Sequence, residues 1–156
     1  MSSLNLYVAV CKARDRDPGH ARHWMLVIVE EGSSSLATWY HCTGGPTQGK
    51  PYIVVIEQKP FDNKGIEKYH PIGEISSKDK IKAAAQRIPG LFCQRWVVNV
   101  LGDLEKRGII PEGIWSDWLN VQRRFFVETS CVGTTQQRLR ASSISLFSLR
   151  LFIFIH

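Results

Sequence analysis

Four runs of alternating or β-branched apolar residues fill the first half of the chain, and then the period changes. In LNLYVAVC, Leu4, Leu6, Val8 and Val10 fall on one side of an extended segment. In HWMLVIVE, His23, Met25, Val27 and Val29 share one face while Trp24, Leu26 and Ile28 share the other. The glycine-containing EEGSSS stretch leads into LATWYHC, so these two runs are expected to form a hairpin. PYIVVIE follows, and YHPIGEI is a weaker candidate strand whose Pro71 suits a sheet edge.

From residue 76 the spacing is helical. In SSKDKIKAAAQRI, Ser76 is placed to cap and Asp79 to complete a capping box, and Pro89-Gly90 ends the helix. In the next segment Cys93, Trp96, Val97, Val100, Leu101 and Leu104 recur at the steps of one helix face, and Gly108 supplies the stop. A third helix is expected from Pro111, with Ile114, Trp118 and Val121 inward. The expected fold is α+β: an antiparallel sheet packed against two or three helices.

With 156 residues, 44% of them hydrophobic, the chain has material for one core. The expected division is a single domain over 1–126 and a basic, then apolar, tail over 127–156. The net charge of +6 belongs mostly to that end. Residues 1–119 carry 15 Lys/Arg against 13 Asp/Glu, whereas residues 120–156 carry 5 against 1. A nucleic-acid partner is therefore not expected. The apolar stretch Ile144–Ile155 would span ~18 Å as a helix, short of a ~30 Å hydrocarbon core, so no transmembrane helix is expected and at most a weak membrane-surface contact. The abrupt change of composition also fits an aberrant gene end.

The start of the chain reads as a strand rather than a signal peptide. The four cysteines, at 11, 42, 93 and 131, show no C-x-x-C pairing, which argues for a reducing, cytoplasmic setting and against a disulfide framework. GGPTQGK, residues 44–50, has the spelling of a phosphate-binding loop, but Lys50 leads into Pro51 and a β-run instead of a helix. It reads as a hairpin connection bordering a pocket.

The remaining chemistry is one thiol and several imidazoles. At the first turn of a helix, peptide dipoles and unpaired amides favour an anion, so Cys93 is a candidate thiolate nucleophile, while also being a residue that packs well as a small hydrophobe. A nucleophile needs a base, and the base an orienting partner. If the strands around the EEGSSS turn pair so that residue numbers sum to 64, His23 faces His41 on one surface. The Cys93 sulfur is then expected near the hairpin end that carries His23, within roughly 3–4.5 Å of one of its ring nitrogens, with His41 on the far side of His23 within hydrogen-bond reach of it. His20 and His70 read as solvent-facing histidines.

The order RHWMLVIVEEG, WYHCTGG and a helical CQRWVVNVL resembles the circularly permuted papain-like (NlpC-type) thiol proteins, in particular the lecithin:retinol acyltransferase and H-Ras-like suppressor family. The resemblance covers roughly residues 20–108. It implies a permuted papain-like fold with Cys93 as nucleophile, His23 as base and His41 as the orienting member. Those relatives usually carry Asn before the cysteine and a Glu-His-aromatic run after it; here Phe92 precedes Cys93 and Gln94-Arg95-Trp96 follows.

The expected activity is thiol-dependent hydrolysis or acyl transfer through an acyl-cysteine on a small-molecule, lipid or peptide substrate. The Cys93 amide and Gln94 are expected to hold the oxyanion, with Arg95 available to an anionic substrate. No cofactor is required. The alternative is a catalytically inactive binding module on the same fold. A metal site built from His20, His23, His41 and Cys42 is poorly supported by H-x-x-H spacing on an extended segment, and none is expected.

Overall fold

The computed structural model describes residues 3–13, 21–32 and 36–124. His20, Cys131, the expected domain boundary at 126/127 and the tail lie outside the described residues. Five strands form one antiparallel sheet: β1 (Leu4–Cys11), β2 (Trp24–Glu30), β3 (Leu36–Gly45), β4 (Lys50–Pro60) and β5 (Ile66–Ile75), in the order β4-β3-β2-β1-β5. Helices α1 (Lys78–Arg87) and α2 (Cys93–Lys106) follow, and α3 covers 114–124. The architecture is α+β. No described helix is long and apolar enough to cross a membrane.

β5 pairs with β1 at one edge, and its Pro71 sits opposite Tyr7, where a missing N–H costs least. Pairing of β1 with β2 sets Leu6 against Ile28, Val8 against Leu26 and Val10 against Trp24, so the even-numbered side chains of both strands share a face. That face packs under the helices, and Leu6, Val8, Trp24 and Leu26 are completely buried. The whole stripe expected on α2, from Cys93 to Leu104, is buried with it.

The odd-numbered face is buried too, around Ala9, Val27, Ala37, Trp39 and Ile66. Trp39 on β3 and Tyr69 on β5 lie three strand positions apart, ~14 Å in a flat sheet. Their ring centroids are 6.2 Å apart, and residues 61–65 alone connect β4 at one edge to β5 at the other. The sheet therefore curls around its odd-numbered side.

Several local expectations need correction. The hairpin of β2 and β3 pairs Val27 with Trp39 and Ile28 with Thr38, so residue numbers sum to 66, not 64. The offset is two residues, which preserves the faces, because side chains alternate with period two. α1 is capped by Ser77, not Ser76, and without a side-chain cap hydrogen bond. α3 begins at 114, buries Trp118 and Gln122, and leaves Val121 exposed. The glycines of GGPTQGK serve the β3–β4 turn. Gly44 has φ +93°, and a Cβ there would stand 2.1 Å from the Pro51 carbonyl oxygen, so a side chain is excluded.

Candidate functional site

At the end of the sheet where β2 begins and β3 finishes, His23, His41 and Glu57 meet on the odd-numbered face. Continuing the β2–β3 register sets Met25 opposite His41 and places His23 one step away on the diagonal. The two imidazoles meet edge to face with centroids 5.5 Å apart, and His23 Nε2 lies 3.4 Å from His41 Nδ1. On its far side His41 Nε2 lies 3.0 Å from Glu57 Oε1. Glu57 is on β4, where the register pairs Trp39 with Glu57 and His41 with Val55, so it is the diagonal neighbour of His41 on the same face. Lys59 reaches the same carboxylate oxygen at 2.5 Å. Chiefly Lys59 holds the Glu57 carboxyl below the usual carboxylate range, against burial, which raises it, and with His41 adding a lesser lowering.

Helix α2 brings Cys93 to this sheet end. Two contacts from its first turn bracket His23. The Gln94 side-chain amide donates to the Arg22 carbonyl at 3.0 Å, and the backbone N–H of Trp24 donates to the Cys93 sulfur. The Gln94 backbone N–H also donates to that sulfur. Leu91, two residues before Cys93, donates its N–H to the buried Cys42 thiol on β3. The thiol thus rests against the peptide that joins His23 to Trp24, a contact with backbone and not with the His23 ring.

The electrostatic expectation for Cys93 is reversed. Cys93 is 8% exposed, and burial pushes its thiol above the ordinary range, outweighing the two amides that favour a thiolate. The helix-start argument considered only the dipoles of α2, not the sheet that covers the sulfur.

Gln94 is 1% exposed and its amide is committed to Arg22, so its side chain ties α2 to the His23 segment instead of standing ready for an oxyanion. Arg95 is exposed on the outer side of α2. His70 is half-buried, edge-on to Trp118, and not simply solvent-facing. Glu57 was missed by sequence reasoning. Its signal was available: strand parity across the Gly44–Lys50 connection places it on the face of His41. Among the described residues no group of three or more His, Cys, Asp or Glu is set to hold a metal ion.

A groove of about 860 Å³ lies between the end of α1, the second half of α2 and Trp115, and none of Cys93, His23, His41 and Glu57 lines it. Its Asp103 pairs with Arg87 and Arg107, and Glu105 accepts the Trp115 N–H. It is separate both from Cys93 and from the line of His23, His41 and Glu57.

Residues 6–111 match the profile of a family of unknown function (DUF6540). The chain belongs to that family. No curated protein and no solved structure matches it. The DUF6540 span contains His23, His41, Glu57 and Cys93 together with the strands and helix that carry them, so all four residues lie within the DUF6540 region and not in an appendage to it.

Proposed function

We propose that this DUF6540 chain is a thiol-dependent hydrolase or acyltransferase built on a permuted papain-like fold, with Cys93 as nucleophile, His23 as base and His41 orienting the base. The observation that carries this reading is the bracketing of His23 by the first turn of α2. The Cys93 sulfur accepts from the Trp24 amide while Gln94 holds the Arg22 carbonyl, so thiol and imidazole-bearing segment are pinned together. The curled antiparallel sheet with its cysteine-led helix supports the resemblance noted in the sequence.

The raised thiol pKa favours a particular order of events. Cys93 rests as a neutral thiol, and His23 takes its proton as the sulfur attacks, instead of storing a thiolate–imidazolium pair. The sulfur forms a bond to the carbonyl carbon of an ester, thioester or amide. The backbone N–H of Cys93, at the open end of α2, stabilises the oxyanion. Collapse breaks the bond to the leaving group, which departs with the proton from His23. Water or another acceptor, deprotonated by His23, then attacks the thioester and restores the thiol. Leu91 and Phe92, more than one-third exposed and next to Cys93, offer an apolar approach for the acyl part.

The test is incubation with an activated acyl ester at neutral pH, acid quenching and peptide mass mapping. An acyl adduct confined to Cys93, absent from Cys93→Ser and slowed in His23→Ala, supports the enzyme. Slow, equal modification of Cys11, Cys42 and Cys93 sinks it. That second outcome favours an inactive binding module, for which the 8% exposure of Cys93 is the supporting observation.

A further inference from the structure

His41 stands between two partners of different chemistry, and the difference fixes where hydrogens sit. Its Nε2 is 3.0 Å from Glu57 Oε1, and an ionised carboxylate has only lone pairs to offer, so Nε2 must carry the hydrogen. A neutral imidazole has one N–H. The Nδ1 of His41 therefore presents a lone pair to His23 Nε2 at 3.4 Å, and His23 Nε2 must be the donor. That leaves the lone pair of His23 on Nδ1.

We infer that Glu57 is a positioning residue: by accepting from His41 Nε2 it fixes the tautomers of both imidazoles and makes Nδ1 of His23 the basic nitrogen of the pair. Lys59, on the same face of β4 and 2.5 Å from the same Glu57 oxygen, keeps the carboxyl ionised and hence acceptor-only. The depressed Glu57 pKa agrees with that role. Cross-strand register rather than chain proximity holds the arrangement. Glu57 pairs with Trp39, and Trp39 Nε1 donates to the Lys59 carbonyl at 3.3 Å, so the strand segment carrying both charges is anchored to β3.

The catalytic consequence rests on the proposed function; the tautomer assignment does not. If Glu57 were replaced by glutamine, the amide can either accept from or donate to His41 Nε2. The donating orientation reverses every hydrogen along the line and puts a hydrogen on His23 Nδ1.

The experiment is two-bond ¹H–¹⁵N correlation spectroscopy of the histidine rings at roughly pH 8, where unperturbed imidazoles are neutral, on the wild-type chain and on Glu57→Gln. Alongside it, the rate of Cys93 alkylation by iodoacetamide is read at the same pH. Expected are Nε2-protonated His23 and His41 in the wild type, mixed or inverted tautomers in Glu57→Gln, and alkylation slowed at least ~10-fold. An Nδ1-protonated His41 in the wild type overturns the inference without reference to any variant. So do unchanged tautomers in a folded Glu57→Gln. Should Cys93 resist alkylation in both proteins while the tautomers behave as stated, the role of Glu57 stands and the enzyme reading alone falls.

Discussion

Gly90 lies so close to Tyr52 that a Cβ on it would stand 2.7 Å from the Tyr52 carbonyl oxygen. The obstacle is backbone, so it has no rotamer to escape into. This contact seats the turn that precedes Cys93 onto β4, and the next residue, Leu91, donates its N–H to the Cys42 sulfur. Gly90→Ala is expected to lower stability by about 1–3 kcal/mol, the usual cost of overpacking. Urea unfolding measures it, and an unchanged midpoint would show that the turn gives way freely.

Gln94→Leu replaces the amide that holds the Arg22 carbonyl with an apolar group of similar size. Loss of that buried bond is expected to cost about 1–3 kcal/mol and to slow Cys93 alkylation, because the segment carrying His23 is no longer pinned. Arg95→Ala, one residue on and exposed, is expected to stay within about 0.5 kcal/mol. Equal effects from the two substitutions would contradict the bracketing role of Gln94.

Stability should fall in alkali partly through Cys93. Its thiol pKa is raised in the fold, so the native state holds the proton more tightly than the unfolded chain. The associated stability is complete below the unfolded thiol pKa and is lost as pH rises through the folded value. Urea midpoints between roughly pH 7.5 and 10, spanning the cysteine range, are expected to decline more steeply in the wild type than in Cys93→Ala. Parallel curves would refute the burial effect.

The opposite sign applies to His70, whose pKa is lowered, chiefly by burial and then by Lys68, while its ring packs edge-on against Trp118 at 5.2 Å. The fold prefers the neutral ring. Its contribution is present above the ordinary value of 6.5 and is lost as pH falls through the lower folded value. His70→Phe keeps an aromatic edge and is expected to flatten the stability decline below that pH. Thermal melts from neutral to mildly acid pH decide it.

Trp96 is completely buried and donates its indole N–H to the Ile88 carbonyl at 3.3 Å, closing the α1–α2 connection over the core. Trp96→Ala is expected to cost about 3–5 kcal/mol. A loss below 1 kcal/mol, measured by urea unfolding, would place the core elsewhere.

Strand faces and the α2 stripe were readable because period-two and helical patterns are repeated many times along each segment. Trp96, Val97, Leu101 and Leu104 each restate the same face. Register is different. The slip from 64 to 66 at the β2–β3 hairpin depends on where the turn between Glu30 and Leu36 places its tip, which no side-chain pattern there specifies. Parity survived the slip, and with it the meeting of His23 and His41. Glu57 was overlooked because its role exists only across strands: in sequence it is one carboxylate ending an apolar run. The Cys93 pKa failed for a related reason, since burial by the sheet is a tertiary quantity and the helix-start argument is local.

The strand order also dictates when each group arrives. β1 to β4 pair with their neighbours in sequence, each closing a short chain segment, whereas joining β5 to β1 brings Ile75 to Leu4 across nearly the whole sheet-forming half of the chain. Such distant closures are entropically late. His23, His41 and Glu57 all reside on the early meander or at its end, and Cys93 follows β5 and α1. A chain emerging from the ribosome therefore has its imidazole–carboxylate line in place before the thiol docks. Assembly order keeps the Cys93 thiol away from the His23 segment until the sheet has closed.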